Sequence, residues 1–242
     1  MRRTAVAVGA LFWISNLVTL VGSAIVGTIP DSAGVLTSMS PHATQVVAGT
    51  LIAHINDVAI IGYAVLLFPV LKRTGPGLAL GYAAFKVVEA VLLLVSAVSL
   101  LSLIAVSHSF LAAGGGNAPW FKAAAESTLA QQFWAARLAA LVYIVGTLIL
   151  NAVLYRAALV PRFLPVWGVA AVAMLAAGLA MGVGDPSRGF QPGQVLLVPI
   201  ILWELTFATW LIVRGFKASR LGSAERGRVR ADAPFLAAGA VS

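Results

Sequence analysis

Cysteine is missing altogether from the 242 residues. Its absence excludes disulfides, thiolate nucleophiles, Cys-ligated zinc and iron–sulfur clusters, and leaves the redox compartment open. Charge is scarce too: Asp, Glu, Lys and Arg make up 10% of the chain, against about 25% in an average soluble domain. A surface this poor in charge does not suit water. With 60% hydrophobic residues and a mean hydropathy of +0.97, it reads as a surface that faces lipid. Acids are the rarer sign, eight against sixteen basic residues, for a formal charge of +8. The basic residues punctuate apolar stretches and form no face interleaved with aromatics, which argues against a nucleic-acid partner. A Walker-type phosphate loop, HExxH and GxSxG are all lacking, which disfavours an ATPase, a zincin protease and an α/β-hydrolase. His42 and His108 fall in loops without a clustered acid, so no metal site is expected, and no cofactor signature is present.

What the chain has is long apolar runs. A bilayer core of ~30 Å needs about 20 apolar residues in a helix, and six stretches suffice: 4–28, 46–71, 78–106, 133–155, 163–183 and 194–213. The expected fold is an all-α bundle of six transmembrane helices in one domain, 1–214, followed by a basic, disordered tail, 215–242. The first run follows "MRR" but far exceeds a signal peptide's apolar region of about 7–15 residues, so it is expected to remain as a helix. The third is longer than a span requires and is expected to tilt or protrude.

Basic residues set the orientation. Arg2 and Arg3 precede the first span, Lys72 and Arg73 follow the second, Arg156 and Arg162 the fourth, and Arg214, Lys217, Arg220, Arg226, Arg228 and Arg230 the sixth. Only Lys122 and Arg188 lie on the other side. Cytoplasmic loops carry the Lys/Arg excess, which puts both termini inside, and an even number of spans agrees. Of the outer loops, 30–45 is Ser/Thr-rich and is expected to be irregular. Residues 107–132 pass from a Gly-rich opening to the helix-favouring "KAAAESTLAQQ", where Trp120 and Phe121 would hold a short interfacial helix. The last, "GDPSRGFQPG", is dense in turn residues. "GLAMG", 178–182, allows close helix packing and is not by itself a case for oligomerisation.

Ionisable residues inside the spans are few: His54, Asp57, Lys86, Glu89, Arg137 and Glu204. Such groups are costly in the bilayer, ~2.5–3.5 kcal/mol each at its centre on insertion scales, so they face the bundle interior and find partners. At about 1.5 Å per residue, Asp57, Glu89 and Glu204 fall near the midplane, with His54 and Arg137 nearer the outer face and Lys86 nearer the inner. Residues three or four apart share a helical face, which joins His54 to Asp57 and Tyr82 to Lys86 and Glu89. One polar core between the second, third, fourth and sixth spans would collect all six groups. Pro199 is expected to kink the sixth helix just before Trp203 and Glu204. Asn16 and Asn151 read as interhelical hydrogen-bonding residues.

The segments "VLLFPVLKRTGPGLALGYAAFKVVEA", "LYRAALVPRFLPVWGV" and "ILWELTFATWLIVRGFK" together resemble the bacterial integral-membrane family termed domain-of-unknown-function 4386. The likeness runs from "GALFWISNLV" to "GFK", with "FKVVE", "PRFLPVWG" and "LWEL" the most specific pieces. In such proteins position 86 is as often Arg as the Lys found here. The resemblance implies a multi-pass protein of the bacterial cytoplasmic membrane and implies no activity.

Three classes of function fit. The leading one is a small-molecule, lipid or proton-linked binding or transport protein, centred on Glu89, Glu204, Asp57, Arg137, Lys86 and His54 with Tyr82, Trp203 and Pro199 in support. In it the acids hold a proton or cation and Arg137 orients an anionic group. The second is a structural or regulatory membrane protein whose charges only fix helix packing. The third, an intramembrane lipid-modifying enzyme, lacks a recognisable nucleophile or metal set.

Overall fold

The computed structural model describes residues 2–116, 119–182 and 192–217. Seven α-helices are present among them, with no strand: α1 Arg2–Val26, α2 Ser32–Ser38, α3 Ala43–Leu71, α4 Pro76–Ala112, α5 Pro119–Ala157, α6 Phe163–Ala180 and α7 Val198–Val213. A 3-10 turn, Pro192–Leu197, leads into α7. Six helical segments, all but α2, are long and apolar enough to cross a membrane, and they correspond in order to the six expected spans.

These six close into a ring. Each packs on its neighbour in sequence, and α7 returns to α1. Short connections make successive helices antiparallel, so an even number brings the two chain ends to one end of the bundle. There the Arg2 guanidinium donates to the Val213 carbonyl at 2.9 Å, satisfying one of the carbonyls that the end of α7 leaves without an intrahelical partner. Ring closure needs a residue without a side chain at Gly9: a Cβ there would lie 2.6 Å from the Ala208 carbonyl oxygen. Between α1 and α3 the two backbones also meet. A Cβ on Gly49 would sit 2.8 Å from both the Gly22 carbonyl oxygen and the Val26 nitrogen, and Gly22 meets the α3 backbone in return. Small residues at both positions let the backbones touch, the usual basis of helix packing in lipid.

The bundle differs from a soluble one in what its outside carries. Its outside carries apolar side chains, Val58 being 73% exposed and Leu20 69%, whereas Lys86, Asp57 and Glu89 are buried within. Such a surface suits hydrocarbon and would aggregate in water.

Two segments, 30–45 and the stretch around Trp120, differ from the sequence expectation. Residues 30–45 are not wholly irregular, because Asp31 caps α2 by accepting from the Gly34 N–H at 2.8 Å. The short helix then buries Val35 and Leu36. Ser107 fastens it to α4, donating to the Leu36 carbonyl at 3.0 Å and accepting from the Ser40 N–H at 2.9 Å. Nor does Trp120–Phe121 start a separate interfacial helix: the Ala-rich stretch runs unbroken into the fourth span as α5. Phe121 and Ala125 pack with Leu36 in a small apolar cluster. Continuing the helix satisfies the backbone groups beyond its first turn while α4 offers a partner surface. At about 1.5 Å per residue, α4 and α5 reach about 55 Å, well beyond a ~30 Å core, so the third span protrudes.

Pro199 gives a third correction. It stands in the first turn of α7, where the missing N–H is one of the helix's orphans in any case. The chain changes there from 3-10 to α geometry, so proline starts the α-helix and does not kink it. Past α7, Phe216 is buried and the Lys217 N–H donates to the Leu159 carbonyl at 2.9 Å, so the chain stays packed to residue 217. The rest of the expected tail, and most of the turn-rich loop with Arg188, lie outside the described residues.

Candidate functional site

Lys86 and Glu89 occupy one face of α4, and the Lys86 ammonium lies 2.8 Å from Glu89 Oε2. Lys86 is 2% exposed. Its Nζ stands 4.4 Å from the centre of the Tyr143 ring and 5.6 Å from that of Tyr63. A carboxylate and two aromatic faces therefore take the place of the water it gave up.

Glu204, on α7, has a different setting. Oε1 accepts from the Tyr143 hydroxyl of α5 at 2.6 Å, and Oε2 accepts from the Asn16 amide of α1 at 3.1 Å. Asn16 also donates to the Phe12 carbonyl at 3.0 Å, which holds its amide in place. Glu204 thus links three helices through neutral donors. No ion pair to it is present among the described residues.

Both acids border a cavity of about 500 Å³. Its polar wall is Asn16, Asn56, Tyr63, Glu89, Tyr143 and Glu204, from five helices. Leu17, Leu20 and Ile201 form an apolar rim on α1 and α7. Along α1 the residues Ser15, Thr19 and Ser23 also line it; spaced four apart, they share one helical face. Ser15 hydrogen-bonds Asn56 on α3, and the Trp13 indole donates to the Thr209 hydroxyl at 3.2 Å.

The six ionisable residues do not form the single core expected from their depths. Lys86, Glu89 and Glu204 meet around Tyr143. His54 and Asp57 pair with each other on α3, Nδ1 to Oδ2 at 2.7 Å, and neither lines the cavity. The second oxygen of Asp57 has no hydrogen-bond partner among the described residues. Arg137 donates to the carbonyl of Leu179 in the last turn of α6 and lies over the Phe133 ring, 5.3 Å from its centre. A cation at a helix C-terminus complements the dipole, and the Leu179 carbonyl also accepts from the Gly182 N–H at 3.1 Å. Depth along the helices was readable from sequence; rotation about each axis, which separates these groups, was not.

The supporting residues also divide. Trp203 faces away from Glu204, with its indole donating to the Leu164 carbonyl at 2.8 Å and its ring parallel to Phe207, 5.5 Å between centres; it joins α7 to α6. Tyr82 is fully buried, and its hydroxyl has no partner among the described residues. Pro199 is not among the residues lining the cavity. Sequence reasoning passed over Tyr63, Tyr143, Asn56 and the hydroxyl stripe on α1. The stripe carried a signal, three hydroxyls at helical spacing in an apolar span. The tyrosines carried none, because an aromatic in a span is compatible with any rotation. Among the described residues no three His, Asp or Glu side chains converge to hold a metal.

A ring of six long apolar helices, apolar on its outside and with its few charged groups inside, defines a multi-pass membrane protein. The chain belongs to the family described as "Domain of unknown function (DUF4386)", which matches residues 7–215. No curated protein and no solved structure matches it.

Proposed function

We propose that the protein binds a small molecule or lipid in the cavity between α1, α3, α4, α5 and α7, as a binding or transport protein. The observation that carries this is Glu204: an acid near the middle of an apolar helix, bordering a cavity of about 500 Å³ and held, among the described residues, by neutral donors alone. Small-molecule sites are of this kind, mostly apolar with a few convergent polar groups. Protein purified in mild detergent should carry a molecule, detected by mass spectrometry, that Glu204→Gln loses while inserting normally. Identical bound species in wild type and variant would remove the proposal.

A structural role fits the other charges better. His54–Asp57 and Lys86–Glu89 each pair within one helix, which lowers the cost of insertion without asking for a ligand. A lipid-modifying enzyme has no supporting geometry among the described residues.

We place the domain, 1–214, in the bacterial cytoplasmic membrane with both termini inside and the basic tail, 215–242, in the cytoplasm. Arg2, Lys72, Arg73, Arg156 and Arg162 stand at one end of the antiparallel ring, as the positive-inside rule requires. Since the chain has no cysteine, Arg73→Cys supplies a single labelling site. It should react with a membrane-impermeant maleimide only after the cells are opened. Labelling of intact cells would reverse the topology.

A further inference from the structure

Charge, shape and access together narrow what the cavity would hold. Two carboxyl side chains border it, and no Lys, Arg or His is among the residues lining it. Glu89 is matched by Lys86, whose ammonium lies against the Tyr143 ring. Glu204 receives hydrogen bonds from Tyr143 and Asn16 and pairs with no positive charge among the described residues. The wall is therefore acidic by one group, with the phenol rings of Tyr63 and Tyr143 beside it. A carboxylate favours a cation and repels an anion.

Access points to the same class of ligand. Leu17 is 58% exposed and Ile201 46%, and both belong to spans that would be surrounded by hydrocarbon. The mouth between α1 and α7 thus faces the bilayer at the depth of the rim. A ligand using it has to be soluble in lipid along most of its length and polar at the end that reaches Glu204.

We infer that the cavity binds a lipophilic monovalent cation, an ammonium bearing an apolar tail, with the Glu204 carboxylate as its counter-ion and the α1–α7 cleft as its route from the bilayer. This deepens the binding reading above and rests on it. The ammonium sits against the Glu204 carboxylate. The tail lies along Leu17, Leu20 and Ile201.

The test is an isosteric series, octylammonium, octanol and octanoate, titrated against the full-length protein in maltoside detergent and read by native mass spectrometry. Wild type should bind octylammonium about tenfold more tightly than either relative, a difference of about 1.4 kcal/mol. In Glu204→Gln the preference over octanol should fall to within about twofold. Wild-type selectivity is measured without any variant, so an E204Q protein that failed to fold would leave that part of the test standing. Octanoate binding as well as octylammonium, or a preference that survives in E204Q, would overturn the inference. Equal binding of all three would overturn it while leaving a binding cavity, and no binding by any of them would remove the binding reading too. Repeating the titration with added phosphatidylethanolamine identifies the source: competition assigns the site to a lipid's ammonium headgroup, and its absence to a free amphiphilic amine.

Discussion

Lys86→Met is expected to destabilise the bundle by about 3–5 kcal/mol, the usual loss when one member of a buried ion pair is removed. Methionine fills much of the same volume, so the effect is electrostatic and not a cavity. What it leaves behind is Glu89, a carboxyl 4% exposed, without the ammonium that stood 2.8 Å away. The Tyr143 and Tyr63 rings present their negative faces to that space and cannot substitute for a cation. Adding Glu89→Leu should return most of the stability, because a pair replaced by apolar groups of similar volume is often neutral. The cycle is read from unfolding midpoints in detergent for the wild type, both single variants and the double variant. A single variant as stable as wild type would show that the pair is not coupled.

Gly22→Val should prevent assembly of the bundle altogether. A first carbon on Gly22 would run into the Ala53 backbone nitrogen and the Gly49 carbonyl oxygen. Neither atom belongs to a flexible side chain, so α1 and α3 must separate. Separation would also pull apart the Phe12–Tyr63 stack, 4.2 Å between ring centres, and the Ser15–Asn56 bond. Overpacking in a core with room to adjust costs about 1–3 kcal/mol; a contact between two backbones lacks that room, so the loss should exceed this range. The matched control is Gly62→Ala, whose nearest neighbour would be the Leu11 Cδ1 at 3.2 Å, the tip of a side chain. Size-exclusion profiles of fluorescently tagged protein should show a monodisperse peak for Gly62→Ala and none for Gly22→Val. A monodisperse Gly22→Val would mean that α1 does not need this contact.

Among the ionisable residues, sequence and structure divide the work visibly. Lys86–Glu89 and His54–Asp57 were legible as pairs, since a separation of three within a helix places two side chains on one face whatever the helix packs against. Arg137 was legible only as a costly charge in need of a partner. Its donation to the Leu179 carbonyl depends on where α6 ends beside α5, and nothing in the local pattern reports that. Glu204 is the clearest case of the same limit: its donors, Asn16 and Tyr143, lie in helices distant in sequence and meet only because α7 closes the ring against α1.

By itself the sequence determined the membrane class, the six spans, their order and the rarity of charge within them. These follow from transfer free energies and the length of helix that crosses hydrocarbon, properties each segment has alone. The tertiary structure decided that α2 is a helix, that α5 extends back to Pro119, that Pro199 opens α7 and that, of the six ionisable residues, Glu89 and Glu204 line the cavity while His54, Asp57 and Arg137 lie apart. Those outcomes depend on axial rotation and on close approach at Gly9, Gly22 and Gly49. A helix apolar on nearly every side has no strong amphipathic stripe to set its rotation in advance, so only contact with its neighbours could do it.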